Sequence, residues 1–198
     1  MATDINQIIA NLRGFYDFKA KTVIAVGAGG GQFAELGREA RRVLAVDSDA
    51  RALQQLEQAL AAKGLSDVFT LRLGDFHDLR ERADVVFLEF CLHEMPDPLK
   101  ALAHARTLAA DVVVADHAPG SAWSYCCAED EKVRRSSAAL GRLGSRAQAE
   151  FHAEQRFPDH AALAARVSAQ GPEAIARCHD FAGQAEIVIP MIYSLTLL

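Results

Sequence analysis

The chain has 198 residues, 51% of them apolar and 24% charged, with 13 glycines and 6 prolines; that composition belongs to a folded globular protein long enough for one sizeable core. Its 26 acidic and 21 basic residues give a formal net charge of −5, which lacks the basic footprint of a general nucleic-acid binder. No apolar run approaches the roughly 20 residues of a membrane-spanning helix, and the opening MATDINQ lacks the basic-then-apolar pattern of a secretory signal. The expectation is a cytoplasmic protein, without membrane or nucleic-acid partners.

Residues 4–19 set Ile5, Ile8, Ile9, Leu12, Phe15 and Tyr16 at helical spacing, with Asp4 as the cap. Next comes KTVIAVGAGGGQFAELGREARRVLAVDSD, residues 21–49. An apolar run at 22–26 breaks into Gly27, Gly29, Gly30 and Gly31; room for one helix of two to three turns follows; a second apolar run at 43–46 ends on Asp47. Strand, glycine loop, helix, strand, acid is the pattern of a nucleotide-binding βαβ unit. The glycines let the backbone approach a ligand closely, and the acid falls at a strand tip, where a ribose offers two hydroxyls.

A helix over 50–63 carries Leu53, Leu56 and Leu60 along one face. Dense, β-branched runs at 68–73, 83–90 and 111–115 continue the strands, and Asp97-Pro98 opens a helix through Leu108 as capping acid and first-turn proline. Such alternation predicts an α/β fold with a doubly wound, mostly parallel sheet covered on both faces. After the fifth run the alternation stops. Residues 119–156 carry no convincing strand and read as two or three short helices, a cap inserted at the end of the sheet where open α/β folds bind ligands. Pro158 and Asp159 open a further helix with Leu163 and Val167, and strands near 174–180 and 186–198 close the chain. The total is about seven strands in a single domain, residues 1–198, without internal repeats.

VIAVGAGGG, VLAVDSD, LRLGDFHDL and ADVVFLEFCLHEMPDP resemble, in order and spacing, the successive motifs of class I S-adenosylmethionine-dependent methyltransferases. The closest flavour is the small-molecule group that includes quinone-biosynthesis methyltransferases. The resemblance spans roughly residues 20–118 and implies a Rossmann-like methyltransferase fold with S-adenosylmethionine as cofactor. It implies that Gly27, Gly29 and Gly31 lie under the methionine and ribose portions, and that Asp47 accepts from the ribose hydroxyls, with Ser48 beside the adenine. It further implies that Asp75 meets the adenine amino group next to Phe76, and that Glu89 and Phe90 face the methionine part and the methyl. Charge-assisted bonds of the Asp47 kind are the strong ones. Ala25 stands where family members usually carry an acid; either Glu89 supplies the missing contact or cofactor affinity falls.

For an oxygen or nitrogen nucleophile, methyl transfer often needs a proton acceptor. His93 and His117 follow the fourth and fifth strands, and either could act near neutral pH, where histidine titrates; Tyr125, Glu129 and His152 are weaker candidates. Glu89, His93, Asp116 and His117 could approach one another, yet no metal-ligand spacing announces itself and no metal is expected. The cysteines Cys91, Cys126, Cys127 and Cys178 read as reduced, mostly buried thiols; adjacent Cys126 and Cys127 could hold a thiophilic substrate but fit better as small packing side chains. Lys132, Arg134 and Arg135 fit an exposed helix with paired charges better than an anion site. The acceptor is expected to be a small molecule, and a homodimer is compatible with the sequence. Two competitors stand: a nicotinamide-dependent oxidoreductase, against which Gln32 occupies the third-glycine place, and a cofactor-binding protein that has lost catalysis, suggested by Ala25.

Overall fold

The computed structural model describes residues 5–198, so the cap expected of Asp4 lies outside the described residues. Helix α1 (Ile5–Phe15) buries Ile8, Ile9 and Leu12, as its spacing demands. Five parallel strands follow: β1 (Thr22–Val26), β2 (Arg42–Asp47), β3 (Phe69–Leu73), β4 (Val85–Glu89) and β5 (Asp111–His117). The runs are apolar on both faces because helices cover both; Val85 to Leu88 are each 0% exposed. Helix α2 (Ala50–Lys63) is capped by the Asp49 carboxylate, which accepts from the Arg51 N–H, and ends at left-handed Gly64. Helix α3 (Pro98–Leu108) is capped by Asp97, with Pro98 in its first turn.

The chain then departs from the sequence expectations. Helix α4 (Ala122–Cys126) and helix α5 (Asp130–Leu143) fill the start of the expected cap, but a 13-residue strand, β6 (Ala147–Asp159), runs through residues assigned to it. Its alternation is masked because Ala153 and Gln155 occupy the most buried positions, between the half-buried Phe151 and Phe157. Pro158 lies inside this strand rather than opening a helix, while Asp159 does cap helix α6 (His160–Val167), accepting from the Ala162 N–H. Residues 174–180 are not a strand: helix α7 (Pro172–Arg177) and a 3-10 turn occupy them, with Ala174 and Cys178 buried four residues apart, a helical interval. The last strand is β7 (Ala185–Leu197).

The β1–β2 connection is a further correction. In place of a helix of two to three turns it has two 3-10 segments, Gly29–Gly31 and Ala34–Arg38. Gly30 and Gly31 take φ of 79° and 69°, left-handed values that interrupt a right-handed helix.

The sheet order is β3-β2-β1-β4-β5-β7-β6, with β7 antiparallel to both its neighbours. The order reverses between β1 and β4, where a doubly wound sheet opens a crevice beyond its carboxyl edge. Helix α5 packs on α3, sharing one core with Leu102, Ala105, Ala139 and Leu140; it covers the sheet and is not part of a cap. The cover over the crevice is instead α4, seated on β7 and α7, together with α6.

Candidate active site

Two cavities share the carboxyl edge of the parallel strands. The larger, about 610 Å3, lies over the switch point and is lined by Gly27, Asp47, Ser48, Asp75, Phe76, Glu89 and Phe90, among others; its size suits a nucleotide-sized ligand. Each of these residues sits at or just beyond a strand tip. The Asp47 Oδ2 accepts from the Gly29 N–H at 2.9 Å and its Oδ1 from the Asp49 N–H at 2.9 Å. That holds the carboxylate while leaving further lone pairs free. A Cβ on Gly29 would lie 2.4 Å from the Ala52 Cβ and 2.6 Å from Asp47 Oδ2, and one on Gly27, at φ 71°, would lie 2.5 Å from the Cys91 Cβ. Gly31 does a different job: it lets the loop close on α2, where a Cβ at this position would lie 3.0 Å from the Ala59 Cβ, and it lines neither cavity. Asp75 spends one oxygen on the His77 N–H at 2.8 Å. Ala25 is buried in β1 between Ala45 and Phe87.

The smaller cavity, about 230 Å3, lies under the cover, walled by Phe33, Phe90, Trp123, Cys127 and Gln155 and including His93, His117, Glu129, Arg166 and Gln170. The two cavities have Gly27, Glu89, Phe90 and Glu94 in common. Burial, and then the charge of Asp47, push the Glu89 carboxyl up to about 8. Phe90 holds φ 49°, a strained value for an aromatic residue and a mark of functional sites. Its ring stacks on Phe33 with centroids 6.2 Å apart and lies 5.1 Å from His117.

Behind Phe90 the two histidines come together, with ring centroids 5.2 Å apart. Asp116, 1% exposed, accepts from the His93 N–H at 2.9 Å, the His117 N–H at 3.0 Å and the His93 Nδ1 at 2.5 Å. The opposite His93 nitrogen, Nε2, lies 3.7 Å from Glu129 and 3.6 Å from Glu94. Burial disfavours the His93 cation, but its bonds to Asp116 and Glu129 outweigh that and raise it to about 10. Burial, then the His93 charge, lower His117 to about 4. The expectation that either could act by titrating near neutrality is therefore corrected: His93 is a held cation with no site for a further proton, and His117 is a neutral ring whose buried Nδ1 has no hydrogen-bond partner.

Among the weaker candidates only Glu129 joins the site, 4% exposed. Tyr125 lies outside, beneath the Arg177 guanidinium at 4.5 Å, and His152 is exposed on β6. Cys126 and Cys127 are buried thiols, each pushed up to about 12 by burial first, so packing rather than thiolate chemistry is their part. Lys132 pairs with Glu94 at 2.7 Å and Arg134 with Asp130 at 3.0 Å, all on the surface. Gln155, Arg166 and Gln170 are absent from the sequence-based candidates: Gln155 lies on β6, which was expected to be helical, whereas Arg166 lies on the expected helix α6 and Gln170 just beyond it, with no motif to single either out. An acid and a histidine side by side at the end of a buried strand, Asp116-His117, were the available signal for the orienting role of Asp116.

Residues 24–112 match a family described as methyltransferase domain; the matched stretch holds Gly27, Asp47, Asp75 and Glu89 but neither His117 nor the cover. The fold is similar to that of a protein from Bacillus halodurans C-125 described as a methyltransferase (TM-score 0.73, 16% identity, 96% of this chain and 97% of that one). It is also similar to a precorrin 8w decarboxylase from Methanobacterium thermoautotrophicum (0.63, 16%, 100% and 90%). A SAM-dependent methyltransferase from Aquifex aeolicus is a third likeness (0.59, 16%, 98% and 89%). At such identities the likeness is one of fold. No curated protein matches the sequence. The dinucleotide oxidoreductase gives way to the domain match: residues 24–112 carry a methyltransferase domain, and the order of the sheet places its strand tips around the larger cleft.

Proposed function

We propose that the chain methylates a small, flat acceptor held in the 230 Å3 pocket. The observation that carries this is the junction of the two cavities at Glu89 and Phe90, which lets a donor on one side face an acceptor on the other. The residues fit the cofactor: the cleft is large enough, the glycine loop leaves no room for a Cβ at Gly27 or Gly29, and Asp47 keeps free lone pairs. Bound S-adenosylmethionine supplies an activated methyl group on a sulfonium.

In this assignment Asp47 accepts from the ribose hydroxyls, and Ser48, Asp75 and Phe76 border the adenine. Glu89, as a carboxylate, meets the methionine ammonium in place of the acid absent at Ala25. Gly31 supports the loop from α2. Phe33, Phe90 and Trp123 favour a planar apolar acceptor, which agrees with the resemblance to quinone-biosynthesis methyltransferases. His117, neutral, accepts the hydrogen bond or proton of the acceptor's reactive group, and His93 with Asp116 positions it. The cover and α1 exclude water, which keeps the displacement in line. The acidic net charge supports a small acceptor over a nucleic acid, and four free cysteines support a reducing, cytoplasmic compartment.

Asp47→Ala should lose about 1.5–3 kcal/mol of S-adenosylhomocysteine binding by calorimetry, the range for hydrogen bonds to charged groups; unchanged affinity removes Asp47 from the ribose. In a screen of phenolic acceptors with labelled cofactor, His117→Ala should cut turnover by about a hundredfold or more while keeping cofactor affinity. Cofactor binding with no transfer to any acceptor would favour the catalytically silent alternative.

A further inference from the structure

We propose that His93, His117 and Glu129 form a divalent-cation site, suited to Zn2+, at the inner end of the smaller cavity. The proposal rests on that cavity being the acceptor's and refines its polar end: zinc would displace the Nε2 proton of His93, whose Nδ1–H stays on Asp116, and would take a lone pair of His117, so that the ion rather than the free His117 ring would meet the acceptor's reactive group. One ring nitrogen of each histidine and one Glu129 carboxylate oxygen lie within 4.8 Å of one another. Tetrahedral zinc with bonds of roughly 2.0–2.1 Å holds its ligand atoms about 3.3 Å apart. The His93–Glu129 edge, at 3.7 Å, already approaches that, so small side-chain movements close the set. Two imidazoles and a carboxylate with a fourth position open are the ligands of catalytic zinc centres. All three residues line the smaller cavity, as does Glu94.

Outer partners distinguish the cluster from a chance gathering. Asp116 accepts from His93 Nδ1 and is itself fixed by two backbone N–H groups. Gln170 Nε2 donates to Glu129 Oε1 at 2.9 Å. Metal-bound histidines characteristically give their second N–H to a carboxylate in this way, which orients the ring. Two further observations point to a ligand. The His117 Nδ1 is buried with no partner, which a native interior seldom tolerates. Asp116 and Glu129, 1% and 4% exposed, are two buried acids flanking a single imidazole, an arrangement that a cation relieves. An ion there would present its open position to a heteroatom of the acceptor.

The test uses full-length protein purified without chelator or metal-affinity tag. ZnCl2 is titrated by calorimetry, with MnCl2 and MgCl2 alongside, and bound metal is counted by mass spectrometry. One saturable zinc per chain is expected, weakened about tenfold or more by His117→Ala and by Glu129→Gln, and about 10–100-fold by Asp116→Asn, the usual cost of an outer partner. S-adenosylhomocysteine affinity, measured on the same samples, should stay at the wild-type value and certifies that each variant folds. Absence of saturable zinc binding, or binding that survives His117→Ala and Glu129→Gln combined, overturns the proposal. Wild-type protein that binds zinc but not S-adenosylhomocysteine would sink the methyl-transfer assignment and leave the metal site standing; the reverse result sinks the metal site alone.

Discussion

The cleft over the switch point and the pocket beneath the cover share a wall but are built differently. Met95, Asp97 and Lys100 close the cleft from around the start of α3, while four other groups that line it are strand-end residues or their near neighbours: Gly27 after β1, Asp47 on β2, Asp75 after β3, Glu89 on β4. Parallel register sets their separations, so the cleft inherits its geometry from the most buried part of the molecule. The pocket draws Ile8 from α1, His117 from β5, Trp123 from α4, Gln155 from β6 and Arg166 from α6. Its shape depends on how surface helices pack. The contrast explains how one sheet can hold a constant donor while its acceptor side varies: loops and covers change without disturbing register.

The largest expected effect strikes the cover. Leu163, 0% exposed in α6, should cost about 2–5 kcal/mol of stability as Leu163→Ala, read by denaturant unfolding. S-adenosylhomocysteine affinity of the folded protein should hold steady; a parallel loss there would break the separation of the two regions. Gly29→Ala strikes the cleft. Its Cβ would press on Ala52 and on Asp47 Oδ2, costing about 1–3 kcal/mol and displacing the carboxylate, so cofactor affinity and melting temperature should fall together. An unchanged affinity would mean the loop moves aside freely.

The third prediction concerns pH. Glu89 holds its proton up to about 8, whereas pairing with an ammonium needs the carboxylate. Affinity for S-adenosylhomocysteine should therefore rise with pH between 6 and 7.5, toward about tenfold per unit, and flatten in Glu89→Gln. A flat wild-type profile would take Glu89 away from the ammonium. The smallest effect belongs to Lys132→Ala, which removes an exposed ion pair to Glu94 and should cost about 0.2–1 kcal/mol in the same unfolding assay. A greater loss would show α5 bracing the pocket rim.

The cleft was legible because its signals are local. Asp49 and Gly64 bound α2, Asp97 and Pro98 open α3, and the run 22–26 coincides with β1. The loop between β1 and β2 was less so: helix-forming residues follow Gly31, yet the left-handed glycines prevent a regular start. β6 escaped because its two most buried positions, 153 and 155, carry alanine and glutamine, which interrupt the run of large apolar residues between Phe151 and Phe157; most of the apolar side chains of that pairing come from Ile187, Ile189, Met191, Tyr193 and Leu195 on β7. For the histidines, residue type was visible but charge was not. His93 and His117 differ through Asp116 and Glu129, which only the tertiary fold brings to one ring and not the other.

The uneven pairing of β7 has a mechanical consequence. It meets β6 along residues 185–197 but β5 only along 193–197. Its first half therefore leaves the main sheet as a two-stranded ribbon, with α6 and α7 hung between the arms. Such ribbons twist more readily than wide sheets. A change in the ribbon's coil would swing α6, and with it Arg166, like the end of a cantilever, widening or narrowing the pocket while the register of the five parallel strands stayed where it was.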